Sequence, residues 1–439
     1  MAKPPPPPRP QPRMGIDLIL AAEALNPPLT GIGRYSLELA RRLERHAAID
    51  RVRYFAYGQW YASPVARLLG QAGADDNGPS TQAAHAPAAQ RDLMPPWLAQ
   101  LRRRLALSPL AVRAYHHAMP YLSAWRLRGN SQALFHAPNF FVPTRFAGRT
   151  IATVHDLSHL RHPQFHTQAR VQYMNMALAP SLRHSDHVIV ISEATRQEFL
   201  HFFPWYPAER VSAILLAADS AFAPHSPADV QRALARLQAQ PCPLATASAA
   251  PTPLKPQGYA LYVGTLEPRK NLARLLQAYE RLPAPLRREY PLVIAGAKGW
   301  DCDALLQTMA RAHHAGWLHY YDFVPQALLP PLYAGAALFV YPSLYEGFGL
   351  PVAEAMASGT PVVTSALSSM PEVAAGAARL VDPHDSEAIA SAIAQALQDR
   401  AWRDSARALG LQRAAQLTWE RTTAATIALY QQVMAAPKR

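Results

Sequence analysis

Glu346 and Glu354 stand eight residues apart, with Gly347, Gly349 and Pro351 between them, and the apolar run Ala336 to Tyr341 leads into the first. Two carboxylates around a glycine loop make a candidate paired-acid site. The elements that carry them sharpen that reading. Glycine and proline are the poorest residues in a helix interior, and proline is welcome only in the first turn. Glu346 therefore belongs in a tight loop. Pro351 opens a helix that Val352 to Ala357 continue and Gly359 ends, before another apolar strand, Pro361 to Thr364. A strand, a glycine loop and a helix start present free backbone N–H groups and a positive dipole end to an anion. The same pattern also fits an ordinary strand-to-helix turn of an α/β protein.

Further polar residues fall at strand ends or in glycine turns. His136 and Asn139 follow the run Ala133 to His136, and His155-Asp156 follows Ile151 to Val154. Open α/β sheets bind ligands at the C-terminal ends of their strands; His155 and Asp156 also fit a structural hydrogen-bonded pair. Gly31-Ile-Gly33-Arg34 precedes the helical pattern Leu37 to Leu43 and forms a plausible phosphate cradle. The dinucleotide fingerprint requires a third glycine where Ser36 stands, and a proline loop separates these glycines from the first strand, which disfavours a nicotinamide dehydrogenase. Tyr259 to Val263 leads into Gly264-Thr265 and then Arg269-Lys270-Asn271, with Asn271 placed to cap the helix from Leu272. Ser192 is placed likewise before the helix Glu193 to Phe203.

At 439 residues the length favours two or three domains, and half the residues are apolar. Cys242 and Cys302 form neither a metal spacing nor a disulfide framework, which fits a reducing, cytoplasmic setting. No apolar run approaches the roughly 18 residues of a membrane span, and the first residues are not a signal-peptide core. The net charge of +13 implies an anionic partner. Arg91, Arg102, Arg103, Arg104, Arg113, Arg126 and Arg128 share a segment whose only acid is Asp92, interleaved with Trp97, Tyr115, Tyr121 and Trp125. Residues 97–128 read either as a basic amphipathic surface lying on an anionic membrane or as a solvated arginine face. No nucleic-acid-binding module accompanies the charge.

Residues 1–13 read as a proline-rich tail without its own function, and 63–96 as a mobile insertion rich in Ala, Gly, Pro and Gln. Short apolar strands alternate with helices over 14–220 and again over 258–417; residues 221–257, part helix, link the two series. A last helix in 418–439 is long enough to cross back to the N-terminal series. This organisation gives an α/β protein of two doubly wound, Rossmann-like domains facing across a cleft.

In the order and spacing of five motifs the chain resembles the retaining glycosyltransferases of family 4, over nearly its whole length from Gly15 to Val433. The motifs are Gly31-Ile-Gly33-Arg34-Tyr35, Val154-His155-Asp156-Leu157, Val190-Ile191-Ser192-Glu193, Gly264 to Asn271, and Glu346 to Glu354. The resemblance implies the GT-B fold and, among members, is nearest to bacterial enzymes of lipopolysaccharide and exopolysaccharide synthesis, many of which use GDP-mannose. It implies a hexosyltransferase that retains anomeric configuration and needs no metal or other cofactor, with a nucleotide sugar as donor and a lipid-linked glycan as acceptor at the inner membrane face.

The roles it implies are Glu346, His155, Arg269 and Lys270 in catalysis. Donor binding falls to Gly31, Gly33, Thr265, Phe323, Val324, Glu354 and the backbone of Phe348, Gly349 and Leu350, with Glu354 on the ribose in the first turn of its helix. His136, Asn139 and Asp156 lie on the acceptor side. The chain departs from the family where Thr265 replaces a frequent arginine, where Ala217-Ala218 replaces an Asn-Gly pair, and where Asp322 replaces a glycine. A UDP-sugar donor, or a non-catalytic scaffold on the same fold, are the alternatives.

Overall fold

The computed structural model describes residues 15–27, 29–72, 121–240, 242–244, 253–300 and 302–437. The expectations for the tail 1–13, for residues 73–96 of the insertion and for 97–120 of the basic segment lie outside them.

Apolar runs of mostly four to six residues, buried on both faces, form two sheets. Such runs have no solvent side, so they require helices on both faces, which is the condition of a parallel sheet. In the first domain the strands are β1 (Ile16–Ala21), β2 (Ile49–Ala56), β3 (Gln59–Tyr61), β4 (Leu134–Ala137), β5 (Arg149–Val154), β6 (His187–Val190) and β7 (Val211–Ala213). Their order is β3-β2-β1-β4-β5-β6-β7, parallel except for the hairpin strand β3. The second domain contains β8 (Ala260–Val263), β9 (Leu292–Ala295), β10 (Leu318–Tyr321), β11 (Leu338–Tyr341), β12 (Val362–Ser365) and β13 (Ala378–Val381), ordered β10-β9-β8-β11-β12-β13. Strand order reverses between β1 and β4 and between β8 and β11. At such switch points neighbouring loops diverge and leave a crevice. The loops after β1, β4, β8 and β11 carry many of the candidate residues, while His155 and Asp156 follow β5 and Phe323 and Val324 follow β10.

One stretch expected to be irregular is partly regular, and the linker holds the helix expected in it. Val65–Ala72, within the expected insertion, is a helix whose Val65 and Leu68 are buried in the first domain's core. Pro227–Gln238, within the expected linker, is a helix capped by Ser226. It packs on the second domain so closely that a Cβ on Gly335 would lie 2.3 Å from Val230 Cγ1. Ser192 caps its helix as expected, by accepting from Thr195 N–H at 3.0 Å. Asn271 does not. It sits at φ +62° and its amide donates instead to the carbonyls of Pro342 and Pro383, at 2.9 and 2.7 Å.

The helix Trp419–Ala435 returns to the first domain. Thr422 Oγ1 donates to Leu215 O at 2.7 Å, and Tyr430 Oη meets His136 Nδ1 at 2.6 Å. This corrects the expected acceptor-side role of His136. Its ring is fully buried, its Nε2 is taken by Thr153 Oγ1 at 2.8 Å, and burial holds its pKa down at about 3. A neutral, doubly bonded histidine inside the sheet anchors the returning helix and has nothing left for a substrate.

Tyr430→Phe should leave His136 Nδ1 buried without its partner. A loss of about 1–3 kcal/mol of stability is expected, the usual cost of one unsatisfied buried polar group, read as a lower urea midpoint with an unchanged slope.

Candidate active site

The loop after β11 and the turn after β8 are knitted together. Leu344 N–H donates to Arg269 O at 2.8 Å, and Asn271 ties the same turn to Pro342. This brings Glu346, from one loop, against Arg269 and Lys270, from the other. Glu346 Oε1 accepts from Lys270 Nζ at 2.6 Å, Ser343 Oγ at 2.8 Å and Tyr341 Oη at 2.9 Å. Lys270 also donates to Tyr341 Oη at 2.6 Å. Arg269 reaches Glu346 Oε2 at 3.0 Å and Glu267 at 3.3 Å.

Burial alone would raise the Glu346 pKa, but Lys270, Arg269 and the hydrogen bonds outweigh it and hold the carboxyl at about 2. Burial pulls Lys270 down, opposed by Glu346. Three donors saturate Oε1, whereas Oε2 takes only Arg269 among the described residues and keeps capacity for another hydroxyl.

Past Glu346 the chain turns through Gly349, at φ +103°, where a Cβ would lie 2.2 Å from Met370 Cε. The helix Leu350–Ala357 follows, with Pro351 in its first turn. Among the described residues the N–H groups of Phe348, Gly349 and Leu350 donate to nothing. The Phe348 side chain is buried. Across the cleft the helix Gly31–Leu43 starts with Thr30 as cap, and a Cβ on Gly31 would come within 4.0 Å of Leu350 Cδ1. Gly33 is buried against Ala24 O and Leu29. Two helix N-termini thus converge, each with unspent donors and a positive dipole end, on a place suited to an anion.

His155 Nε2 lies 2.6 Å from Pro138 O. A carbonyl only accepts, so Nε2 carries the proton, and in the neutral ring Nδ1 is left as an acceptor. Burial lowers the His155 pKa and keeps it neutral. Asp156 accepts from Ser158 N–H at 3.0 Å and Oγ at 2.6 Å. Burial pushes its pKa up, but the charge of Arg269 and the Ser158 bonds outweigh it and leave it lowered. His155 and Asp156 are therefore bonded to different partners rather than to each other. Asn139 is half-buried at the start of the loop after β4.

Glu354 lies in the second turn of its helix, not the first as expected, because the helix begins at Leu350. It is partly exposed and accepts from Tyr333 Oη at 2.9 Å; burial raises its pKa while Arg34 pulls it back. Thr265 is half-buried, and its carbonyl accepts from Glu267 N–H at 2.9 Å. Phe323 is 59% exposed just past β10, with Val324 half-buried beside it.

Several residues escaped the sequence reading. Arg34 reaches across the cleft to Gln326 Oε1 at 2.6 Å; it stands inside the glycine motif, and its charge was the unused signal. Tyr341 and Ser343, five and three residues before Glu346, complete that carboxylate's shell. Domain contact depends on Ser192 Oγ donating to Gly347 O at 2.7 Å and on the Glu372 carboxylate accepting from Glu193 N–H at 2.9 Å. Gly347 leaves no room for a side chain, since a Cβ would lie 1.8 Å from His155 O. Among the described residues no cluster of three or more His, Cys, Asp or Glu could hold a metal ion.

Two Rossmann-like domains closed over paired helix N-termini and a buried carboxylate–lysine–arginine cluster define a GT-B protein with a candidate anion site between its domains. Residues 247–414 match the family described as glycosyl transferases group 1. The O-antigen chain mannosyltransferase B of Escherichia coli is 40% identical over 413 residues, 94% of this chain and 99% of that protein. The chain belongs to the group 1 glycosyl transferases and is a hexosyltransferase. The serotype-specific mannosyltransferase WbdA of Escherichia coli is 29% identical over 62% of this chain and 32% of its own length. Among solved structures, WaaG, a glycosyltransferase involved in lipopolysaccharide biosynthesis, superposes with TM-score 0.64 at 14% identity, over 94% of this chain and 99% of its own. Anabaena HepE in complex with UDP and glucose gives 0.64 at 17% identity, over 95% and 100%.

Two outcomes follow from this geometry. Gly347→Ala should hold the domains apart, seen as a larger radius of gyration in small-angle scattering, and should lower turnover by about tenfold or more, as misplacement of reacting groups does. Glu346→Gln should be less stable than the parent by an amount that is constant above about pH 4.5. A carboxylate whose folded pKa is depressed loses its contribution as pH falls, so the gap should close between pH 4.5 and about 2 in urea titrations.

Proposed function

We propose that the chain transfers mannose from GDP-mannose, with retention of configuration and without a metal, to a lipid-linked glycan of the O-antigen kind. The observation that carries this is the 40% identity to an O-antigen chain mannosyltransferase across 94% of the chain, joined to a site of matching chemistry.

In this reading the diphosphate lies between the two helix N-termini, on the N–H groups of Phe348, Gly349 and Leu350, with Gly31 and Gly33 closing over it. Glu354 accepts from the ribose hydroxyls, and Phe323 and Val324 flank the base. Glu346 Oε2 and His155 Nδ1 accept from hydroxyls of the sugar and orient its anomeric carbon. Arg269 and Lys270 supply fixed positive charge as the sugar–phosphate bond breaks and negative charge gathers on the leaving group. Such preorganised charge acts most strongly where water is excluded, which domain closure provides.

The acceptor's lipid places the reaction at a membrane face on the cytoplasmic side. Among the described residues no helix is long and apolar enough to cross a membrane, so attachment in this reading is peripheral. Tyr121 and Trp125 are 59% and 55% exposed. Arg145 lies 4.0 Å over the Tyr121 ring and Arg126 4.9 Å over that of Trp125. Exposed aromatic rings with arginines suit the headgroup layer of an anionic bilayer.

Thermal shift against GDP, UDP and ADP tests the donor, because a bound nucleotide raises stability by mass action, about 2.7 kcal/mol at a hundredfold excess over Kd. GDP should give the largest shift; a larger response to UDP overturns the donor, and no response to any overturns the enzyme reading. Glu354→Ala should weaken GDP about tenfold, the loss of one good contact. Glu346→Ala should abolish turnover yet keep GDP binding.

A further inference from the structure

A cavity of about 440 Å³ lies between the two domains, lined by none of the residues assigned above to the donor. The first domain contributes His162, Phe165 and Glu198, and the second contributes Tyr345, Leu367 and His384. Its size falls among small-molecule sites, which favour domain interfaces. It shares a wall with the catalytic loop: Tyr345 directly precedes Glu346, and Ser368, also in the wall, accepts from Glu346 N–H at 3.2 Å.

The lining has two kinds of surface. The His162 and Phe165 rings stack at 5.3 Å and 28°, and Tyr345 meets His162 edge-on at 5.2 Å. Beside them the Glu198 carboxylate is 15% exposed. Its Oε2 accepts the Tyr345 hydroxyl, while Oε1 accepts no hydrogen bond among the described residues and lies 3.9 Å from Arg161. A pyranose ring offers an apolar C–H face and a rim of hydroxyl donors. Aromatic rings take the first, and a carboxylate with a free oxygen takes the second through charge-assisted bonds.

We propose that this cavity is the acceptor subsite, holding the terminal uncharged hexopyranose of the glycan with its C–H face on His162 and Phe165 and its hydroxyls on Glu198 Oε1. This rests on the transfer reaction proposed above. Because both domains build the walls, and Leu157 N–H and Glu198 both bond Tyr345 Oη across the cleft, the subsite is complete only when the domains touch. Acceptor binding and closure are then coupled, and the ring to be extended sits beside the loop that orients the donor sugar.

The test uses the full chain with Glu198→Gln, which keeps an acceptor for the Tyr345 hydroxyl, and Phe165→Ala, which removes ring area only. Mannotriose serves as soluble acceptor at saturating GDP-mannose. Both variants should raise the mannotriose KM by about tenfold or more, removing binding rather than chemistry, with the GDP thermal shift unchanged. Saturation-transfer NMR should show mannotriose contacting the parent protein and losing that contact in both variants. A KM within twofold of the parent in both variants, or undiminished NMR contact, overturns the subsite while leaving the transferase reading intact. A parent that neither responds to GDP nor transfers mannose overturns that reading, and this proposal with it.

Discussion

A carboxylate taken out of water keeps its charge only if opposite charge and hydrogen bonds meet it, and Glu346 meets that demand with Lys270, Arg269, Tyr341 and Ser343. Much of the second domain's geometry follows. The two cations come from the turn after β8 and the carboxylate from the loop after β11, so those loops must be held in register at the switch point. The Leu344–Arg269 backbone bond and the Asn271 amide do this. Glu267 takes the far side of Arg269, so two cations face two acids and the cluster is nearly neutral without ligand. The helix N-termini next door add attraction for an anion to that of the two cations.

The same cluster sets how the domains meet. Glu346 is followed by Gly347, whose missing side chain lets the His155 carbonyl approach and whose own carbonyl accepts Ser192 and Thr195. Closure thus places His155 beside the glycine loop, and Arg34 near Glu354 through its bond to Gln326. Several of these contacts are hydrogen bonds to backbone atoms. Polar interfaces between domains are the ones that open and close, as a site that must admit both a nucleotide sugar and a glycan requires.

The alternation of short apolar strands and helices made both domains legible, because fully buried parallel strands leave a plain compositional trace. The hairpin strand β3, half-exposed and three residues long, leaves almost none. The glycine–proline pattern located the loop of Glu346 and the helix start of Glu354 within a turn. The fate of a polar side chain at a strand end was harder to read. His136 and His155 stand in like positions, yet one is locked between Tyr430 and Thr153 and the other faces the cleft with one nitrogen spent. Tyr430 lies almost 300 residues from His136 in the chain, and no local pattern encodes such a pairing. Asn271 failed as a cap for a similar reason, since two carbonyls from distant loops compete for its amide.

The protonation states bear on how the proposed transfer handles its proton. An acceptor hydroxyl must lose a proton as it attacks, and the groups nearest the proposed donor sugar are poor bases. Glu346, at a pKa of about 2, is a weak base already surrounded by donors. Asp156 is also lowered and spends an oxygen on Ser158. His155 has its pKa lowered by burial, and the acids around Arg269 hold its proton on the guanidinium. A phosphate oxygen released from its ester, with a second pKa of about 6, is more basic than either carboxylate. In the proposed transfer the proton would therefore pass most readily to the leaving diphosphate on the face from which it departs. That is the arrangement that retains configuration, and it explains why Glu346 and Glu354 need not act as the paired acid and base of a glycosidase. In the proposed transfer one would orient the sugar, the other would hold the ribose, and the nucleotide would supply the base.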